Sequence, residues 1–295
     1  MNTSSPDYLT TSELAELLRI KERKVYEMAA SGKIPCTRAT GKLLFSRDEV
    51  ESWLSEKGSN TSAQRAAAIR PSIFLGSHDP LLEWALKESG CRLASNFDGS
   101  LDGLERFAAG EGLAAAVHLY EGAPDAWNTR TVSEKFAGQA VVLTEFCWRQ
   151  RGLVIKPELK DRIQSIADLK GHRITPRQAS AGTQILLLHL MAQQGIDAGD
   201  VDFGELAYTE TDAVTSILDG SADATLGLRS VARRFKLDFV PLMRERFDLL
   251  VDRRAWFEPA FQTFLSFCQS AAFRERSESL HDYDVSGIGS IHFNG

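Results

Sequence analysis

The sequence predicts a mixed protein of two domains, a small helical domain followed by a larger α/β domain. Three observations lead to this prediction. The 295 residues exceed one small domain and fit about two, at roughly 100 to 200 residues each. Two short amphipathic helices and a hairpin account for most of the region before residue 58. From Pro71 onward, short apolar runs alternate with helix-length amphipathic runs, as in a parallel sheet covered by helices.

The composition restricts the functional classes. Hydrophobic residues make up 43% and charged residues 25%, which is ordinary for a soluble protein. The net charge of −6 means that any contact with nucleic acid requires a local basic patch. The N-terminal residues have no signal-peptide pattern and no apolar run approaches membrane-spanning length, so we expect a cytoplasmic protein without membrane contact.

The cysteines argue against a metal site. Cys36, Cys91, Cys147 and Cys268 lie far apart and form no CxxC pair, so the pattern favours neither zinc nor a disulfide framework. We therefore expect reduced thiols, no metal and no cofactor.

The first domain begins with a capped helix. Thr10 precedes Glu13 by three residues, as in a capping box, and Leu14, Leu17 and Leu18 then fall on one face. A second helix is predicted over 22–30, and Gly32 ends it. Two short helices separated by about three residues are typical of a helix-turn-helix, whose second helix enters the major groove.

A hairpin and a third helix complete this domain. Thr40-Gly41-Lys42 is the predicted turn of a hairpin over 36–45. Ser46 then caps a helix with Glu49 at its third position and Trp53 on its apolar stripe.

The charge of this region supports DNA binding. Between residues 19 and 47, eight basic residues stand against two acidic ones. The alternative is a solvated surface without a ligand. The candidate DNA-binding residues are Lys21, Arg23, Lys24, Tyr26, Arg38 and Lys42. Because one module of this size covers little DNA, we expect a homodimer on a paired site.

These patterns give domain boundaries of 1–57 for the DNA-binding domain, 58–70 for a small polar linker and 71–295 for the second domain. In the second domain the predicted strands are 73–77, 91–97, 113–119, 138–143, 152–156, 171–175, 224–227, 239–242 and 247–250. The predicted helices are 80–89, 101–109, 184–194 and 213–219.

The stretch 177–183 is the strongest candidate for a ligand site. Arg177, Ser180, Gly182 and Thr183 lie at the entrance to a predicted helix, where free backbone N–H groups and the helix dipole favour an anion. An ordinary helix N-cap is the alternative for such a stretch.

Other strand-to-helix turns should lie at the same sheet edge. Ser77 and Ser100 would add hydroxyl donors, which suit a fully ionised oxyanion that needs donors only. Asp79 and Asp98 do not suit such a ligand, and we expect them to cap helices. A carboxylate in the site would instead favour an anion that carries a proton, such as phosphate.

The remaining candidates are weaker. His78 is placed at the mouth of the site, with a surface or core role as the alternative, and His189 is expected to be packed. Arg149 and Arg151 either bind anion or face solvent.

The first domain resembles the winged helix-turn-helix of the excisionase and MerR type. The shared motifs are Leu9-Thr10, 13–18, Val25-Tyr26, the S-G-K-I-P of 31–35, the G-x-x-x-F of 41–45 and Trp53-Leu54. That family usually caps the second helix with Ser or Thr, whereas this chain has Lys21, so its start is expected to fray without DNA.

The second domain resembles the two-lobed, type II periplasmic-binding-protein superfamily. The shared motifs include 168–171, the R-x-x-S-x-G-T of 177–183 and 220–223. More narrowly, 76–79, 116–119 and 149–154 resemble the molybdate-type domain found fused to helix-turn-helix domains and to molybdopterin-biosynthesis proteins. This resemblance implies molybdate or tungstate as ligand, a sensing role, and Tyr120 and Asn128 as further ligand-site residues.

Together these features predict a one-component transcription regulator that senses a small oxyanion and is not an enzyme. Neither a nucleophile beside a base nor a G-K-[ST] phosphate loop is evident in the sequence. Two alternatives remain: an enzymatic or non-catalytic factor of molybdenum-cofactor biosynthesis, and a regulator that senses an organic carboxylate.

Overall fold

The computed structural model describes residues 8–39, 41–50, 53 and 70–295. The chain divides into two compact units, 1–68 and 69–295. The predicted linker therefore lies outside the described residues, apart from Arg70.

The N-terminal unit is a small helical domain with a three-stranded sheet. Its elements are β1 Tyr8–Leu9, α1 Thr11–Leu17, α2 Glu22–Ala30, β2 Thr37–Ala39 and β3 Lys42–Ser46, with strand order β1-β3-β2. Thr10 caps α1 in the predicted capping box with Glu13. Lys21 is the N-cap of α2 and makes no capping hydrogen bond with its side chain.

This unit has its own apolar core. Leu14, Val25, Phe45 and Val50 are fully buried, and burial of each such side chain contributes about 1.5–3 kcal/mol. Residues 47–50 and Trp53 are helical, in agreement with the predicted third helix, whose other residues lie outside the described ranges.

The second unit contains a mixed sheet with helices on its faces. Its strands are β4 Ile73–Gly76, β5 Ala94–Asn96, β6 Ala114–Val117, β7 Val141–Ile155, β8 Arg173–Ile174, β9 Asp202–Phe203, β10 Ala224–Leu228, β11 Asp238–Asp252, β12 Tyr283–Asp284 and β13 Ile291–Asn294. Its α-helices are α3 Pro80–Glu88, α4 Ser100–Ala108, α5 Thr129–Lys135, α6 Gly182–Gln193, α7 Glu210–Leu218, α8 Arg229–Arg234, α9 Pro259–Cys268 and α10 Ala271–Ser279. Short 3-10 helices cover Pro157–Leu159, Ile166–Leu169, Ala198–Asp200 and Ala255–Phe257.

The strand order β5-β4-β6-β11-β7-β10-β8-β9 defines two lobes. The first lobe contains β4, β5 and β6, which are parallel to one another, and the second contains β8, β9 and β10. The long antiparallel strands β7 and β11 run through both lobes and join them. This is the two-lobed periplasmic-binding-protein-like fold that the sequence predicted.

The two crossing strands correct the predicted strand pattern. The sequence suggested two short strands in each region, whereas β7 and β11 are each continuous over 15 residues. The intervals between these predicted strands contain charged residues, which are typical of loops: Glu145, Arg149, Arg151, Glu245 and Arg246. All five are buried inside the sheet, where they find partners of opposite charge or other polar groups.

Each lobe has its own hydrophobic core, against which its strands pack. Phe74, Phe146 and Phe264 pack in the first lobe, while Ile174 and Leu187 pack in the second. The carboxyl ends of β4, β6 and β8 face the space between the lobes, which is where open α/β sheets place their ligands.

Gly76, at the end of β4, allows close packing there. Its φ is +95°, and a Cβ atom would lie 2.2 Å from the carbonyl oxygen of Ala116. A side chain is therefore excluded, and Ser77 is held against β6 by a 2.8 Å hydrogen bond from its N–H to the same oxygen.

Candidate functional site

A narrow cleft lies between the two lobes of the second unit. Its lining comprises Ser77, His78, Phe97, Gly99 and His118 from the first lobe and Arg177, Gln178, Ala181, Thr183, Tyr208 and Glu210 from the second. The cavity between the walls has a volume of only about 10 Å³. That is about the room of a single water molecule, so the cleft is closed.

Direct contacts hold the cleft closed. The N–H of Leu101 donates to the carbonyl oxygen of Ser180 over 3.1 Å, and the Ser180 hydroxyl donates to the carbonyl oxygen of Asp98 over 3.0 Å. Gly182 lies so close to the opposite lobe that a Cβ atom would be 2.5 Å from the carbonyl oxygen of His118. Ligand entry therefore requires the lobes to separate.

A chain of buried ion pairs runs behind the cleft and joins the lobes. It starts at Asp79, which pairs with Arg149, and Arg149 in turn pairs with Glu245. Arg149 and Glu245 are directly opposed in the register of β7 and β11. Glu245 also accepts from Arg151, over 2.6 Å from Nη2.

The chain continues into the second lobe through Glu210. Oε1 of Glu210 accepts from Nη1 of Arg151 over 2.8 Å and lies 3.4 Å from Nη1 of Arg177. The six residues of this chain, from Asp79 to Arg177, are called the charge ladder below. Each is at most 7% exposed, so none is screened by bulk water.

The charges of the ladder balance, with three arginines against three carboxylates. Burial alone would raise the pKa of Glu210, but Arg151 and Arg177 outweigh it and lower that pKa from 4.5 to about 2. Burial would likewise raise the pKa of Glu245, which Arg149 and Arg151 hold well below its usual range. Both carboxylates are therefore ionised at neutral pH.

His118 is neutral in this setting. Its burial lowers the imidazole pKa, and the opposing effect of Glu245 does not restore it. Nδ1 lies 3.2 Å from Oε2 of Glu245, and since that carboxylate is ionised, we assign the proton to Nδ1. Nε2 then carries a lone pair and is able to accept a hydrogen bond.

Four of the predicted ligand-site residues line the cleft: Ser77, His78, Arg177 and Thr183. Arg177, the predicted anion anchor, is already engaged. Its Nε donates to the carbonyl oxygen of Ala207 over 3.0 Å and its Nη2 to that of Tyr208 over 2.7 Å. Its charge is compensated by Glu210, whereas one N–H on each of Nη1 and Nη2 has no partner among the described hydrogen bonds.

The other five predicted residues lie outside the lining described for the cleft. Ser100 is buried behind Ser77, with 2.7 Å between their hydroxyls. Ser180 and Gly182 belong to the contacts between the lobes. Tyr120 packs between Trp127 and His189, which places His189 in the packed position expected.

Asn128 has a supporting position. Its Oδ1 accepts from the N–H of Leu119, and its Nδ2 donates to Oδ2 of Asp248 over 2.8 Å. It is fully buried, and its φ of +59° and ψ of −33° place it at the centre of a γ-turn, in which the N–H of Thr129 donates to the carbonyl oxygen of Trp127.

The structure shows the roles of two arginines and two aspartates for which the sequence left alternatives open. Arg149 and Arg151 do not face solvent, because they are 1% and 0% exposed within the charge ladder. Asp79 caps α3 as expected, accepting from the N–H groups of Leu81 and Leu82. Asp98 is not a cap, since Gly99 occupies the N-cap position of α4 and Asp98 instead accepts from Arg106.

The sequence reasoning missed Glu210 and Glu245. Glu210 follows the capping residue Thr209 and looks like one of the acidic residues that favour a helix start. Nothing local distinguishes it from exposed Asp212, and only the fold brings it to Arg151 and Arg177.

The helix-turn-helix unit presents a basic surface of its own. The six candidate DNA-binding residues are all exposed, and Tyr26 is 51% exposed. Arg23 and Lys24 approach Glu27 at 3.5 and 3.3 Å, which are surface pairs of low energy. These side chains are thus accessible to phosphates.

Comparison with known proteins agrees with this architecture. A PBP superfamily domain model matches residues 83–269, and a helix-turn-helix domain model matches residues 8–58. The uncharacterized protein YvgK of Bacillus subtilis (strain 168) is 23% identical over 302 residues, covering 96% of each chain. An uncharacterized protein in the ferredoxin 2Fe-2S gene 5′ region of Clostridium pasteurianum is 28% identical over 109 residues, covering 36% of this chain and 96% of that protein.

Among solved structures, a putative phosphate ABC transporter substrate-binding protein with bound phosphate from Clostridium perfringens superposes with a TM-score of 0.52. It is 11% identical and covers 72% of this chain and 99% of its own, so the likeness concerns the fold. Within the described part of the chain, no helix has the length and apolar character needed to cross a membrane. The chain belongs to the PBP superfamily and carries a helix-turn-helix domain at its N-terminal end.

Proposed function

We propose that the protein is a transcription regulator in which binding of a small anion between the lobes of the second domain changes the affinity of the first domain for DNA. The observation that carries this proposal is the presence, in one chain, of an exposed basic helix-turn-helix and a cleft with the first turn of α6 at its wall. Anion binding and DNA binding are coupled when the anion changes the population of the protein state that binds DNA.

The donors at the cleft wall support an anionic ligand. Helix α6 begins at Gly182 without a side-chain cap, and the N–H groups of Gly182 and Thr183, which have no partner among the described hydrogen bonds, are available to an anion. Ser77 and Thr183 add hydroxyls that are 4% and 2% exposed. The domain resemblance supports molybdate or tungstate as the anion.

An organic carboxylate is the second candidate, and a specific observation favours it. Phe97 and Tyr208 line the cleft from opposite lobes, and Tyr208 is 63% exposed. Exposed aromatic surface at a cleft stabilises a ligand with a carbon skeleton but contributes little to a bare tetrahedral oxyanion.

The cleft favours a binding role over a catalytic one. Its charged side chains are paired in the charge ladder, and in the described hydrogen bonds no hydroxyl of the cleft contacts a base strong enough to activate it. Thr183, for example, donates to Glu210, whose pKa of about 2 makes it a weak base. A role in molybdenum-cofactor biosynthesis remains the competing proposal.

A mobility-shift assay separates these roles. We expect the full chain to retard DNA taken from upstream of its own coding region, and to do so as a homodimer by light scattering. A factor of cofactor biosynthesis would leave that DNA unshifted at micromolar protein and low salt.

Calorimetry tests the ligand class. The full chain is titrated with molybdate, tungstate, sulfate, phosphate and a set of small carboxylates. We expect a dissociation constant in the micromolar range or below for at least one of them, and failure of all would reject the anion-sensing role.

A further inference from the structure

We propose that the end of α8 and the turn that follows it form a second DNA-contacting surface, on the second domain. Its residues are Arg233, Arg234 and Lys236, called the α8 patch below. They bind phosphates of the DNA that flanks the site held by the first domain. This inference rests on the proposed function, because it adds a contact to the same DNA.

The charge of this stretch is opposite to that of the unit that carries it. Residues 69–295 contain 24 basic and 31 acidic residues, a net charge of −7. Residues 224–237 contain four basic residues and no acidic one. The first of the four, Arg229, lies 3.7 Å from Asp282, so three positive charges remain without a counter-charge.

The acidic residues that border the stretch do not neutralise the α8 patch. Asp223 pairs with Lys156 over 2.9 Å, and Asp238 pairs with Lys160 over 3.4 Å. The patch residues themselves form no ion pair with any residue that the structure describes. Their charges are therefore available to an external anion.

The packing of α8 holds the patch at the surface. Val231 and Ala232 are buried in a core cluster of the second lobe, and Phe235 and Leu237 pack against the same cluster. The three patch residues are exposed. Because one side of the helix is anchored in this core, the cations are presented on a fixed scaffold and not on a loose loop.

Lys236 occupies a position at which glycine is preferred. The N–H of Leu237 donates to the carbonyl oxygen of Ala232 over 3.0 Å, and that of Lys236 donates to Arg233 over 3.1 Å. This is a Schellman turn, and Lys236 has the left-handed φ of +57° that its third-last hydrogen-bonding position requires. Lysine is less favourable there than glycine, and its ammonium group has no described partner. The position therefore favours a role for the charge outside the fold.

DNA is the polyanion that these observations favour. The patch is covalently joined to a helix-turn-helix, so DNA bound by that domain is present at a high local concentration. Two guanidinium groups and one ammonium group suit phosphate oxygens, which position a protein on DNA without reading its sequence. Three such contacts would contribute about 2.7 to the slope of the logarithm of affinity against the logarithm of salt concentration.

The salt dependence of DNA binding tests the inference on the full chain. The triple variant Arg233→Gln/Arg234→Gln/Lys236→Gln is compared with wild type by fluorescence anisotropy, on a duplex that extends beyond the site found by mobility shift. We expect the slope to fall by about two to three, with affinity at low salt reduced about tenfold or more.

The matched control removes the same three charges from positions that have acidic partners. It is Lys135→Gln/Lys170→Gln/Arg173→Gln, whose partners are Glu105, Asp200 and Asp202. Its slope should differ from that of wild type by less than about one. An unchanged slope in the patch variant, or an equal fall in both variants, would overturn the inference and leave DNA binding by the first domain intact. Failure of the wild type to bind DNA would overturn the proposed function as well.

The single variant Lys236→Gly separates DNA contact from folding. Glycine suits the left-handed turn, so the urea midpoint should be equal to that of wild type or higher, while the salt slope falls by about one. A folded Lys236→Gly protein with the slope of wild type would remove Lys236 from the contact surface.

Discussion

The substitution Glu245→Gln removes one charge from the middle of the charge ladder. Glu245 accepts from both Arg149 and Arg151 and is fully buried. Removal of one partner of a buried ion pair typically costs about 3–5 kcal/mol, because the remaining charge has no compensation. Glutamine keeps the shape and one acceptor oxygen, and Asp79 and Glu210 still pair with the two arginines. We therefore expect a loss near the lower limit, about 3 kcal/mol in the free energy of unfolding.

Urea denaturation followed by tryptophan fluorescence measures this loss. Four of the five tryptophans, Trp84, Trp127, Trp148 and Trp256, lie in the second unit, so the signal reports mainly on that unit. Because the two domains can unfold independently, the chain need not show a single two-state transition, and each resolved transition is fitted separately.

The matched control is Glu105→Gln. Glu105 pairs with Lys135 over 2.6 Å, but its side chain is 73% exposed, so its loss should cost no more than about 1 kcal/mol. If Glu245→Gln destabilises the second unit no more than Glu105→Gln does, the ladder does not hold the lobes together as argued.

Three further predictions address closure, acid stability and DNA contact. In Gly182→Ala the new Cβ meets the carbonyl oxygen of His118 in the other lobe, so ligand affinity should fall about tenfold by calorimetry, whereas Gly199→Ala, with open space around it, should bind normally. Glu210 has its pKa lowered to about 2, so its stabilising effect is complete above about pH 4.5 and is lost as the pH falls through about 2. The stability difference between wild type and Glu210→Gln should thus shrink by about 2 kcal/mol between pH 5 and pH 3 in urea titrations, and a constant difference would contradict that pKa. Lys42→Gln should weaken binding to all DNA sequences alike and reduce the salt slope measured by fluorescence anisotropy by about one, and an unchanged slope would exclude Lys42 as a phosphate contact.

Local sequence signals predicted the fold well where the determinants are local. The capping box of Thr10 and the cap of Asp79 fixed two helix starts, because these hydrogen bonds join residues two or three positions apart. The alternating apolar runs predicted β4, β5 and β6 of the first lobe and β8 and β10 of the second, but not β9, which is only two residues long. They failed at β7 and β11, where charged residues are tolerated because residues distant in the fold or on other elements supply their partners.

For the candidate site, too, the local features were predicted and the long-range contacts were not. The stretch from Arg177 to Thr183 was predicted because a helix entrance with hydroxyls is a local pattern, and both of these residues line the cleft. The pairing of Arg177 could not be predicted, since its charge is compensated by Glu210, a residue distant in sequence that looks like an ordinary helix-start acid. Long-range pairing thus places a carboxylate beside the predicted anion anchor.

DNA affinity of the full chain with and without ligand tests the central claim most directly. The measurement uses fluorescence anisotropy on the DNA identified by mobility shift, with the anion identified by calorimetry at saturation, in wild type and Gly182→Ala. Coupling of the usual size predicts a change of at least about fivefold in wild type, which is lost in the variant that cannot close. Equal DNA affinity of the wild type with and without the bound anion would contradict the account.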